Sequence, residues 1–218
     1  MIAAMAKPRS PEAARAARQQ AVTDVRRALV LDAARSAFFE LGLEGASLRE
    51  IAKRAGYTPG AIYSYFDSKE QVYGALLGES LERLNAFVAA APDTLRGKTG
   101  AFFDFYRENP RDLDLGFYLF RGMQPRGLTP ALNKQLNARL GDALAPLRWQ
   151  LVALGLTAAE AQTEVTALFA HIVGLLLLSH TGRIRMFGQT SQALFARYLD
   201  ALLARTPRPP RKPGGTRP

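Results

Sequence analysis

Apolar residues recur along this chain at helical spacing. Val30, Ala33, Ala34, Ala37, Phe38 and Leu41 fall at offsets 0, 3, 4, 7, 8 and 11, with Asp32, Arg35, Ser36 and Glu40 opposite. That spacing gives one wide buried helix face. Gly42 closes the stripe. A shorter one follows, Leu48, Ile51, Ala52 and Ala55, with Arg49, Lys53 and Arg54 turned away. Ser47-x-x-Glu50 has the capping-box spacing that opens a helix, and Gly56 suits the left-handed position that closes one. Thr58 then offers a cap and Pro59 a first helical residue. Ile62 and Phe66, four apart, can face inward together. Ser68-x-x-Gln71 is a second capping box, opening a helix from Lys69 to about Ala90 with Tyr73, Leu76, Leu77, Leu84, Phe87 and Val88 near one face.

Beyond Ala91-Pro92-Asp93 no strand-like alternation of useful length appears. Helices are predicted near 95–108, 111–122, 130–153, 158–181 and 189–205, with breaks at Asn109-Pro110, Gly122 to Pro130, Gly155 to Thr157 and Gly182 to Gly188. Pro146 should kink the third of these or end it early. The pattern predicts an all-α protein. It has an N-terminal extension (1–22), a helix-turn-helix domain (23–91, the motif at about 47–66), a larger helical domain (92–205) and a tail (206–218).

Composition narrows the chemistry. The 218 residues suffice for one or two cores, and the absence of cysteine excludes disulfides, zinc-thiolate sites and thiol catalysis. Met1 to Ala6 is too short for the apolar core of a signal peptide, and the run Ala167 to Leu178 falls short of the ~18 apolar residues of a membrane span. A cytoplasmic location is therefore expected. Net charge is +10, divided as +3 over residues 1–75, +2 over 76–204 and +5 over 205–218. Such a balance suits a polyanionic partner. Four of those charges lie in TPRPPRKPGGTRP, a composition that builds no core and is expected to be disordered. Met1 to Ser10 is read the same way, with Glu12 onward open to helix. Extension and tail are each read as solvated, with phosphate contact the lesser alternative.

Helix, glycine turn and short helix form the helix-turn-helix arrangement, whose second helix enters the major groove of DNA. The run AARSAFFELGLEGASLREIAKRAGYTPGAIYSYFDSKEQVY resembles the DNA-binding domain of the TetR family of bacterial transcription regulators. Ala33-Ala34, Phe38, Gly42, Ser47-Leu48, Glu50 to Ala52, Ala55-Gly56, Gly60, Tyr63, Tyr65-Phe66 and Ser68 to Glu70 carry the likeness, which covers roughly residues 24–84. Pro59 and Ala61 depart from the commonest family pattern, where a polar or basic residue and Thr are frequent. They bear on which operator is read, not on how the domain docks.

The second helix carries a low surface. Gly60, Ala61 and Ser64 let its backbone approach base edges; Ala61 can meet a thymine methyl and Ser64 can bond either base type. Tyr63 and Tyr65 can reach phosphates through their hydroxyls, though Tyr65 reads equally as half-buried. Ser47, Thr58 and Lys69 stand at helix starts, where N–H groups favour phosphate. With Pro59 these are the candidate DNA-binding residues, Ser47 and Thr58 serving as caps in either case.

The larger domain is dense in aromatic residues. Core packing is the ordinary reading of each. The alternative is an apolar pocket between helices, and the resemblance implies a small-molecule effector there. Phe102, Phe103, Tyr106, Phe117, Phe120, Trp149 and His171 are the candidate lining. From Ile172 to Leu178 the chain is apolar nearly all round, so that helix lies deep in one core or between two subunits. The resemblance implies that the last two helices pair with their copies, with Val173, Leu176, Leu177, Leu194, Tyr198 and Leu202 as candidate interface. His171 and His180, nine apart, do not form a metal pair; no metal and no cofactor are expected. No nucleophile–base pair, HExxH, phosphate loop or paired carboxylate stands out, so the chain is not read as an enzyme. The expected function is a homodimeric, ligand-responsive transcription regulator, a repressor that leaves a palindromic operator when a largely apolar effector binds. A nonspecific architectural DNA binder and a helical enzyme with a vestigial DNA module are the alternatives.

Overall fold

The computed structural model describes residues 10–117, 120–121, 124–125 and 128–206, and at 43–44, 117, 120–121 and 124–125 the backbone alone. Phe120, predicted as pocket lining, therefore has its side chain outside the described residues, as do residues 1–9 and 207–218 in full. The described chain is helical: α1 Pro11–Gly45, α2 Leu48–Ala55, α3 Pro59–Tyr63, α4 Lys69–Ala90, α5 Leu95–Glu108, α6 Pro110–Phe117, α7 Pro130–Ala153, α8 Ala158–His180 and α9 Ser191–Arg205. One short antiparallel pairing, β1 Phe120–Arg121 with β2 Gln124–Pro125, stands where the predicted helix 111–122 was to end. That helix stops at Phe117 instead.

The chain forms two compact units. Of the described residues, the first holds 10–76, with which 120–121, 124–125 and 128 group; the second holds 77–117 and 129–206. They part within α4, whereas the sequence pattern puts the boundary after Ala91.

In the first unit, α1 starts at Pro11, capped by Ser10, whose hydroxyl accepts from Ala13 N–H. It begins earlier than the apolar stripe because Ala, Arg and Gln favour helix without needing a core. Its buried face starts only at Val30 and continues through Leu31, Ala33, Ala34, Ala37 and Phe38. Gly42, at φ 74°, interrupts the helix where the stripe predicts its end. Phe38 meets Tyr73 of α4 edge-on, centroids 6.0 Å apart.

In the second unit, α5, α7, α8 and α9 surround an aromatic core. Phe102 meets Tyr106 and Phe169 edge-on, and Phe103 stacks on Phe195 at 4.3 Å. α7 continues past Pro146 to Ala153, so the helix does not end early there. The carbonyl that Pro146 leaves without a donor belongs to Asp142, on an exposed turn where water can serve it. Taken whole, α8 is long and apolar enough to cross a membrane by length and composition, which the shorter run considered in the sequence was not. Its apolar residues divide between the core, with Leu168, Ile172, Leu175 and Leu176 buried, and an uncovered side with Leu177 and Leu178.

Candidate nucleic-acid interface

The helix-turn-helix is built by local capping. Ser47 accepts from Glu50 N–H at 3.2 Å and starts α2. The Glu50 carboxylate does not return to Ser47, as a full capping box requires; it takes Arg54 Nε at 2.8 Å. Arg54 also donates to Glu40 at 2.8 Å and Ser36 at 3.2 Å, tying α2 to α1. These bonds draw the Glu40 carboxyl below its ordinary range and push the Arg54 guanidinium up. Arg54 is thus spent on the scaffold, and Arg49 and Lys53 are the exposed cations of α2.

Gly56 closes α2 at φ 72°, its N–H reaching Lys53 O while Tyr57 N–H bonds Ala52 O at 2.9 Å. No atom would obstruct a Cβ at Gly56, so only backbone strain opposes a side chain there. Gly56→Ala should therefore cost about 1–2 kcal/mol, read as a lower urea midpoint with an unchanged slope; an unchanged midpoint would mean that the turn relaxes freely.

After the turn, Thr58 caps α3 by accepting from Ala61 N–H at 3.4 Å, with Pro59 in the first turn. α3 is shorter than the expected segment to Phe66. It ends at Tyr63, and Tyr65 and Phe66 N–H close onto Ile62 O. Ile62 and Phe66 are buried, as their spacing predicts. That fixes the rotation of α3 and leaves Pro59, Gly60, Tyr63 and Ser64 exposed, with Ala61 and Tyr65 half-buried. Tyr63 is 55% exposed. Ser64 donates to Ala61 O at 2.6 Å, so its hydroxyl offers outward an acceptor rather than a proton. Lys69 donates to Ala46 O at 3.3 Å and is half-buried, so it also holds α4 against the start of α2. Ser68 caps Gln71 N–H at 3.2 Å, but Gln71 returns to Asp67 rather than to Ser68. The sequence pattern passes over Arg27, whose guanidinium lies 4.8 Å from the Phe66 ring centroid. An arginine on the polar side of an α1 stripe gives no hint of stacking beside α3.

The other candidate residues separate. Phe102, Phe103 and Tyr106 are buried among rings, and burial pushes the Tyr106 phenol up. The side chain of Phe117 lies outside the described residues. Trp149, predicted in the pocket, is 61% exposed on α7 and lines no interior space, because Leu147 and Leu151 take the inward side. His171 stacks on Tyr198 at 4.0 Å, so a pocket candidate and an interface candidate share one contact. Its Nε2 is buried without a hydrogen-bond partner, and burial lowers its pKa. Of the interface candidates, Leu176 and Leu202 are buried within the chain's own fold. Val173, Leu194 and Tyr198 are half-buried, and Leu177 is exposed.

Residues 30–76 match the family of bacterial regulatory proteins, tetR family. The HTH-type transcriptional activator FasR of Mycolicibacterium smegmatis is 35% identical over 101 residues, covering 43% of this chain and 46% of that protein. The chain spans less than half the length of the curated relatives it matches. Among solved structures, the regulatory protein SCO4313 superposes with a TM-score of 0.72 at 22% identity, covering 85% of this chain and 98% of that one. FadR from Bacillus subtilis, in complex with stearoyl-CoA, gives 0.59 at 21% identity, covering 81% and 97%. At these identities the superpositions speak for the fold alone. A capped helix-turn-helix at the matched residues, within a helical fold shared with solved structures, identifies residues 30–76 as a DNA-binding domain of the bacterial tetR type.

Proposed function

We propose that the chain is a homodimeric, sequence-specific DNA-binding transcription regulator, a repressor released from a palindromic operator by a small, largely apolar effector. The observation that carries this is the rotation of α3. Burial of Ile62 and Phe66 turns a low face of Gly60 and Ser64, with Tyr63 beside it, away from the core. Such a face admits the backbone to base edges, while Tyr63, Thr58 and Ser47 supply phosphate contacts at its borders. Two copies would set their reading helices in major grooves about 34 Å apart, or a multiple of it.

The effector reading rests on the second unit. Phe102, Phe103 and Tyr106 form an aromatic interior, and the buried Nε2 of His171 offers one unsatisfied polar handle. The bound stearoyl-CoA of FadR makes a long-chain acyl-CoA the first ligand to test. A ligand favouring a form unable to bind DNA would release the operator by population shift.

The test is a mobility-shift titration on DNA flanking the gene, with and without stearoyl-CoA, beside a reporter fused to that DNA. A palindromic fragment should bind far more tightly than random duplex, Tyr63→Phe should weaken that binding, and deletion of the gene should raise reporter output. Equal affinity for every duplex would favour an architectural protein; lower output on deletion would make the chain an activator, as FasR is named.

A further inference from the structure

The second unit carries a projecting knob and a groove at opposite ends of α8. The knob is the 3-10 turn Arg183–Phe187, bracketed by Gly182 at φ 73° and Gly188 at φ 64°. Ile184 anchors it in the core, while Met186 and Phe187 are 79% and 77% exposed. Exposed apolar side chains presented together mark an interaction surface. Leu177 and Leu178, also exposed, extend the apolar surface back along α8, and Arg183 and Arg185 flank it.

The groove, of about 570 Å³, is lined by Leu156, Ala159, Thr163, Leu202 and Thr206, with Glu160, Glu164 and Arg205 as its charged side chains. It lies at the start of α8 and the end of α9. Glu164 is paired with Arg205, and Glu160 bonds Thr157 in a complete capping box, so both carboxylates are held in place.

We infer that Met186 and Phe187 of one copy seat in this groove of a second copy, and the reverse. The start of α8 is acidic, with Glu160 and Glu164, and the 3-10 turn that follows α8 is basic, with Arg183 and Arg185, so two copies complement each other when antiparallel. An antiparallel pair has a twofold axis, and each contact then occurs twice. If the axis crosses α8 at Ala170, residue 160 of one copy lies opposite residue 180 of the other, one turn before the knob leaves the helix. The side of α8 at the crossing is low: Thr163, Ala167 and Ala170 are exposed, and a Cβ on Gly174 would meet open space. Two helices can therefore approach closely enough for the knob to reach. Arg183 and Arg185 then arrive beside Glu160 and Glu164.

This inference rests on the homodimer proposed above, and the experiment separates the two. The chain has no cysteine, so Ala159→Cys with Phe187→Cys introduces the only thiols. Within one copy these positions are separated by the length of α8, roughly 33 Å, far beyond disulfide reach. Mild oxidation of the full-length double variant should give a covalent dimer, and either single variant should not. Phe187→Asp, at a site too exposed to matter for folding, should raise the dimer dissociation constant at least 30-fold by sedimentation equilibrium. A wild-type dimer with no cross-link, and a Phe187→Asp dissociation constant within threefold of it, would overturn the knob and leave the homodimer standing. A wild-type chain that stays monomeric at every concentration would remove both.

Discussion

Gly60→Glu is expected to abolish operator binding and leave the fold intact. Gly60 is exposed in the first turn of α3, and a Cβ there would meet no atom within 4 Å. A carboxylate at that point suits the positive end of a helix, so the change carries no folding penalty. Against DNA it does the opposite. It lifts the low surface that admits the backbone to base edges, and it sets an anion among phosphates. Binding to the flanking DNA should fall by about 100-fold or more, with the thermal melt unchanged. Gly60→Lys provides the contrast: its bulk disturbs the reading of bases, but its charge attracts phosphate. It should retain affinity for random duplex while losing preference for the operator. If Gly60→Glu bound as tightly as the original chain, α3 would not be the reading helix.

Much of this arrangement is legible from residue spacing because the first unit is held by local rules. Ser47, Gly56, Thr58 and Ser68 act within four residues of themselves, and each occupies the cap or turn its type demands. Ile62 and Phe66 settle the rotation of α3 without reference to distant chain. Elsewhere spacing loses its grip. α8 is apolar on nearly every side, so its pattern cannot say which leucines face inward, and Leu176 turns to the core while Leu177 turns out. Trp149 is exposed for a related reason, since α7 has smaller apolar residues to bury and no strong stripe to orient it. α1 begins at Pro11, 19 residues before Val30 opens the apolar stripe, because propensity alone sustains helix there. Where a residue's partner lies in another helix, its type can mislead outright.

Lys98 is the clearest such residue, and replacing it by Met should destabilise the second unit by about 3 kcal/mol. A lysine in an amphipathic helix reads as solvent-facing, yet Lys98 is only 7% exposed. Its ammonium donates to the carbonyls of Val88, Ala89 and Ala91, at 3.1, 3.0 and 2.9 Å. Those carbonyls lie at the end of α4, where the helix has run out of its own donors and carries its negative pole. All three ammonium protons are thus used, and the positive charge sits where the helix dipole favours it. Gly97 permits the approach: a Cβ there would come within 2.5 Å of the Pro92 carbonyl oxygen, so any larger residue would push α5 off the α4–α5 turn. Met at 98 keeps the length and the apolar stem and removes only the charge and its three bonds. The cost is then that of stranding carbonyls beside an apolar methyl, offset in part by water reaching the exposed Ala89. A fall of about 10 °C in melting temperature is expected, followed by circular dichroism at fixed protein concentration. A shift of less than 2 °C would show that water replaces the ammonium without loss, and that the α4–α5 corner is held by packing alone.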